Sequence, residues 1–219
     1  MNGKSSFRDR VDGGRQLAAR LAAYADRPDV IVLALPRGGV PVGAEVARAL
    51  HAPLDVMIVR KLGVPGQEEL AMGAIASGGV RVVNEQVVRQ LAIPERMIDW
   101  VAEREAVELE RRERLYRGGR PPPTIEGRTV ILVDDGIATG STARAAVQAL
   151  RAMHPARLVL ATPTAAPETV ADLRGEVDDL VCVTAPDPFF AIGYHYDEFP
   201  QLSDAAVQQI LAPAVTVTG

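Results

Sequence analysis

Cysteine, lysine and aromatic residues are scarce in this chain, and each shortage removes a class of function. One of the 219 residues is cysteine, so no internal disulfide can form. Its setting, Leu180-Val181-Cys182-Val183, suits a buried structural thiol of raised pKa rather than a nucleophile. No His/Cys/Asp cluster has the spacing of a protein-built zinc site. The lysines are Lys4 and Lys61, every other basic residue being arginine, which singles out Lys61. Cations do not exceed acids. The net charge is -4, so no overall basic field draws nucleic acid or an acidic membrane. The longest apolar runs, such as residues 30–36, are too short to cross a bilayer. Residues 1–15 are polar and charged, with no apolar leader core. A cytoplasmic protein with neither nucleic acid nor membrane as partner is expected. Aromatics make up 4%, yet Phe189, Phe190, Tyr194, Tyr196 and Phe199, with His195, crowd one short segment.

What is present is a regular alternation of apolar runs and amphipathic stretches. Strands are expected over 30–35, 54–59, 129–133, 157–162 and 180–184, the β-branched run at 30–35 being the kind that is buried on both faces. Helices are expected over 16–24, 41–50, 94–116, 141–153, 167–174 and up to 211, the last capped by Ser203. Residues 60–70, with Gly63, Pro65 and Gly66, read as a loop. Residues 71–75 and 80–83, joined by Ser77-Gly78-Gly79, read as a hairpin. Glu108/Arg112, Glu110/Arg114 and Glu113/Arg117 have the favourable acid-first spacing of a solvated helix face. The proline-rich stretch 118–124 is a linker but not a domain boundary, because neither half has a full set of strands. The fold class is α/β: a mostly parallel twisted sheet with helices on both faces.

Two carboxylates, Asp134 and Asp135, directly follow the strand at 129–133, at the carboxyl end where open α/β sheets bind ligands. Gly136, Ala138, Thr139, Gly140, Ser141 and Thr142 then lead into a helix. Backbone N–H groups, hydroxyls and a helix N-terminus facing one point form an anion cradle. The acids repel a phosphate and suit hydroxyls or a metal's water shell, so the loop as a whole describes a sugar phosphate. A plain Asp-Gly turn with a Ser/Thr cap would explain one glycine and one hydroxyl. It leaves two acids, a second glycine and two further hydroxyls without a reason. A Walker A loop is excluded, since no lysine follows Gly140. After the first strand, the glycine pair Gly38-Gly39 beside Arg37 can approach a second anion. It is not a dinucleotide fingerprint, because the spacing is wrong and Arg60-Lys61, rather than an acid, end the second strand.

The run from Val130 to Thr142, with Asp134-Asp135 and Thr139-Gly140, closely resembles the PRPP-binding signature of type I phosphoribosyltransferases. The likeness extends in strand order and loop placement over about 30–184. It implies a Mg-PRPP-dependent transfer of ribose 5-phosphate to a nitrogenous base, with loss of pyrophosphate. Asp134 and Asp135 would contact the ribose hydroxyls, and Ala138, Thr139, Gly140, Ser141 and Thr142 would hold the 5-phosphate. Arg37, Gly38 and Gly39 would meet the pyrophosphate, while Arg60 and Lys61 would arrive on a mobile loop to neutralise it. By the same resemblance 1–219 is a single domain, with a core at about 28–184 and a hood from 1–25 and 185–219. Tyr194, His195 or Tyr196 of the hood would face the base, although the aromatic cluster equally suits a small satellite core. Ala138 stands where hypoxanthine/guanine-type relatives carry a proton-exchanging Asp, which turns the acceptor away from those bases. Magnesium would come with PRPP rather than bind the protein directly. Family members commonly form dimers, which admits a homodimer. A non-catalytic PRPP- or nucleotide-binding regulator is the alternative.

Overall fold

The computed structural model describes residues 6–212; the first five residues of the expected hood and 213–219 lie outside them. In chain order, α1 (Arg10–Arg20) leads to β1 (Val30–Ala34), α2 (Gly39–Leu50) and β2 (Leu54–Val56). Then come β3 (Val59–Val64), β4 (Gln67–Ala76), β5 (Val80–Val83), α3 (Glu85–Gln90) and α4 (Glu95–Arg117). The chain continues with β6 (Thr129–Val133), α5 (Ser141–Ala152), β7 (Arg157–Thr164), α6 (Pro167–Arg174), β8 (Asp179–Thr184) and α7 (Asp204–Leu211).

Five strands form a parallel sheet in the order β2-β1-β6-β7-β8. Both faces of the central strands are buried, as their unbroken apolar runs require. Val30, Val32, Ile131 and Val133 pack under α1 and α2, against Leu17, Leu21, Val42 and Val46. Ile31, Leu33, Val130 and Leu132 face the other way, toward Ala146, Val147 and Leu150 of α5 and Leu173 of α6. Each such side chain contributes about 1.5–3 kcal/mol by leaving water, and the two-residue pleat alone decides which layer it joins. The chain winds outward from β1 to β2 on one side and from β6 to β8 on the other. The crevice between the carboxyl ends of β1 and β6 is therefore the switch point at which open sheets accept ligands.

Residues 60–70 are not a loop. Arg60 and Lys61 lie inside β3, which pairs antiparallel with β4, and β4 with β5, making a separate three-stranded sheet. The loop expectation took Gly63, Pro65 and Gly66 as breakers. Leu62 and Val64 are buried at strand spacing. Pro65-Gly66 supplies the turn, with Gly66 at φ 82°, and Gly63 absorbs a register shift. The expected hairpin between β4 and β5 is present. This sheet packs with α4 and α7 into a second core containing Ile58, Leu62, Met72, Val101 and Val207. The helix at 85–90 had no sequence expectation; Asn84 caps it by accepting the Val87 N–H at 3.2 Å. The ion pairs expected on α4 form, but Arg117 is buried rather than solvated, bound to Glu113, Asp55 and the Val56 carbonyl. No helix among the described residues is long and apolar enough to cross a membrane.

Candidate active site

The loops after β1 and β6 meet in the crevice at the switch point. A Cβ built on Gly38 would stand 2.0 Å from Oδ2 of Asp135, and one on Gly39 would stand 2.7 Å from the Val133 carbonyl. Residue 38 has ordinary helical angles, φ -61° and ψ -38°. It is this close approach, not backbone conformation, that requires glycine there. The Pro36–Arg37 peptide is cis. Arg37 reaches toward Asp204 at the start of α7, 4.0 Å away.

Beyond the acids, Gly140 takes a left-handed conformation, φ 72°, and α5 starts with no side-chain cap. No side chain among the described residues caps its first N–H groups, unlike the Ser/Thr cap of the plain-turn reading, and such free N–H groups can bind an anion. Thr139, Ser141 and Thr142 are exposed at this mouth. The Ala138 carbonyl is fixed by the Thr169 hydroxyl at 2.6 Å. Asp134 is half-buried, and its carboxyl is pushed well above the ordinary carboxylate range, first by burial and then by the neighbouring Asp135 charge.

Asp135 is 8% exposed. It receives Nε of Arg10 from α1 at 2.7 Å, and its carbonyl receives the Tyr196 hydroxyl at 2.5 Å. Arg10 also donates to the Pro200 carbonyl at 2.8 Å and lies over the Phe199 ring, 3.7 Å from its centroid. Sequence reasoning missed Arg10, since one arginine of a polar N-terminal segment carries no mark of burial. Its position at the head of an amphipathic helix was the available signal.

The two cations of the hairpin part company. Arg60 is bound by Glu105 of α4 through its Nε, at 2.9 Å, and so is drawn off toward that helix. Lys61 has no hydrogen-bond or ion-pair partner among the described residues. It lines a cleft of about 250 Å³ that it shares with Asn84, Ser141, Arg144 and Gln148, on the flank of the α5 cradle. It also borders a groove against α4 that includes Trp100 and Arg104. A separate apolar cavity of about 270 Å³, around Met57, Ile125 and Met153, contains none of the candidate residues.

In the terminal hood, Phe7 bridges to Tyr196. Tyr196 is buried between Phe7 and Phe199, with its hydroxyl committed to Asp135. It belongs to the satellite core and is not available to a base. Tyr194 is 73% exposed, and Phe190, 75% exposed, lies beside it at 6.1 Å between ring centroids. His195 packs on Phe189, its Nε2 is buried with no hydrogen-bond partner, and burial lowers its pKa. Ile192 of the same segment presses on Gly136 of the acidic loop, where a Cβ would stand 2.4 Å from its side chain.

The phosphoribosyl transferase domain family matches residues 6–198. A Mycobacterium tuberculosis protein (strain H37Rv) whose name describes a phosphoribosyl transferase is 50% identical over 205 residues, 94% of this chain and 46% of that protein. The chain thus spans about half the length of that curated relative. A uracil phosphoribosyltransferase of Legionella pneumophila (strain Lens) is 39% identical over 64 residues, 29% of this chain and 30% of that protein. The crystal structure of TT1426 from Thermus thermophilus has a TM-score of 0.85 at 40% identity, over 94% of this chain and 97% of that one.

Proposed function

The chain belongs to the phosphoribosyl transferase domain family, and from that premise we propose that it transfers ribose 5-phosphate from Mg-PRPP to a nitrogenous base, releasing pyrophosphate. One observation carries the reading: the glycine-pair loop closes onto the acidic pair beside an uncapped helix start. Two backbone anion surfaces thereby flank a carboxylate suited to a diol. On this reading Ala138 to Thr142 hold the 5-phosphate, the acidic loop, with Asp134, forms the ribose end, and Arg37, Gly38 and Gly39 meet the pyrophosphate. The bond from C1 to the pyrophosphate oxygen breaks, its electron pair leaving with pyrophosphate, as the acceptor nitrogen bonds to C1 and its proton departs. The transition state is cationic at the sugar, so positioning and charge placement do most of the work. Lys61 supplies the cation for the departing charge. Magnesium would come as part of the substrate, carried by its pyrophosphate. The exposed Tyr194 is the hood residue left to face the base. The described residues act as one domain, with the two terminal segments as its hood.

A non-catalytic PRPP-binding regulator is favoured by one observation: Glu105 neutralises Arg60 and withdraws it from a leaving group. Calorimetry with Mg-PRPP, followed by pyrophosphate release across a panel of bases, separates the readings. Binding with release supports transfer, and binding without release on any base favours the regulator. A protein that does not bind Mg-PRPP sinks both.

A further inference from the structure

The adjacent acids are held in opposite ways. Asp135 is enclosed: its carboxylate receives Arg10, its carbonyl receives Tyr196, and Gly38 lies directly against it. Arg10 is itself 8% exposed and fastened to Pro200 and Phe199, so that carboxylate joins the two terminal segments and, with its side chain only 11% exposed, leaves a sugar little surface. Asp134 pairs with no cation among the described residues, and its Oδ1 receives the Asp135 N–H at 2.9 Å. With the Asp135 side chain and carbonyl both clamped, the N–H that aims Asp134 is fixed from two sides.

We infer that the two acids divide the work: Asp134 alone binds the ribose hydroxyls, and Arg10 is a positioning residue that turns Asp135 aside and neutralises it. The inference rests on the PRPP reading above. A buried arginine so placed prevents the second carboxylate from competing with the first for one orientation and one ionisation state. The charged groups acting on Asp134 are Asp135, which opposes its ionisation, and Arg10, which favours it. Tyr196 is the neutral phenol beside them, its pKa pushed upward chiefly by burial.

The test is calorimetric titration of the full chain with Mg-PRPP for wild type, Asp134→Asn, Arg10→Met and the double variant Arg10→Met with Asp135→Asn. Asp134→Asn keeps the Arg10 pair and the fold, and binds roughly 10–100-fold more weakly through loss of a charged hydrogen-bond acceptor. Arg10→Met leaves Asp135 charged and unpaired. It binds at least tenfold more weakly, and its affinity falls away at a higher pH than that of wild type. Adding Asp135→Asn removes that charge and restores affinity to within about threefold of wild type (roughly 0.7 kcal/mol). A ribose-binding Asp135 gives the opposite result, the double variant being weaker than Arg10→Met. That outcome, or unimpaired binding by Asp134→Asn, overturns the division of labour. If Arg10→Met alone does not fold, the double variant decides: affinity within threefold of wild type supports the inference and a tenfold loss overturns it. Wild-type protein that takes up no Mg-PRPP overturns the PRPP reading and this inference with it.

Discussion

The sharpest structural prediction concerns Gly38→Ala. The added methyl carbon would lie 2.0 Å from Oδ2 of Asp135 and 2.4 Å from its Cγ. To reach the 3.4 Å of an ordinary contact the carboxylate must retreat by about 1.4 Å. Arg10 holds that same oxygen at 2.7 Å, so the retreat breaks a buried ion pair. Breaking such a pair costs about 3–5 kcal/mol; if the backbone yields instead, overpacking costs about 1–3 kcal/mol. About 3 kcal/mol is the expected loss. At about 2–4 °C of melting temperature per kcal/mol for a domain of this size, Gly38→Ala should melt about 6–12 °C below wild type. Gly79→Ala is the control. Nothing beyond its chain neighbours lies within 4 Å of the methyl there, and the sole penalty is the positive φ of 75°, about 1–2 kcal/mol. Thermal denaturation of the three proteins by circular dichroism is the assay. If Gly38→Ala melts no lower than Gly79→Ala, the two loops do not meet as described.

Three further outcomes are expected. Lys61→Ala should lower turnover by about 10²–10³ with little change in Mg-PRPP affinity; equal turnover in an active preparation removes Lys61 from the mechanism. Asp134 has a raised folded-state pKa, so the folded protein holds its proton more tightly than the unfolded chain. Its contribution to stability is thus present at low pH and lost as pH rises from the ordinary carboxylate range through the raised value. Asp134→Asn should accordingly out-melt wild type at neutral pH while losing ligand, and a melting difference independent of pH would contradict this. With a methyl group at Ala138, hypoxanthine and guanine should be poor acceptors, and steady-state assays against adenine, xanthine and uracil test that; a clear preference for either purine refutes it.

The parts of the fold legible from the sequence were those in which one physical signal acted alone. The buried run at Thr129–Val133, the proline start of Pro167–Arg174 and the serine cap of Asp204–Leu211 all stand where the residues placed them. The hairpin of β3 and β4 was obscured by mixed signals: charges at Arg60 and Lys61 and breakers at Gly63 and Pro65 hid the alternation of Leu62 and Val64. That the acidic loop and the glycine pair meet at one crevice was legible because both follow strand carboxyl ends and only glycine allows so close an approach. What Arg10, Arg60 and Tyr196 do was not legible. Each is decided by a partner distant in the chain, and nothing local to an arginine or tyrosine states whether it will face solvent, Glu105 or Asp135.

The fastening of both terminal segments to one acid bears on the order in which the molecule is completed. Arg10 and Asp135 are separated by 125 positions, and Phe7 must wait for Tyr196. Contacts of such long sequence separation are entropically expensive and form late. During synthesis α1 emerges before β6, so its buried charge has no counterpart until Asp135 has followed, and no aromatic cover until Phe199 has left the ribosome. The sheet can assemble around β1 and β6 earlier, so a nascent chain acquires its scaffold before the acid loop is held in place. The acid loop is then fastened after the sheet, when Arg10 and residues 196–200 close over the same Asp135.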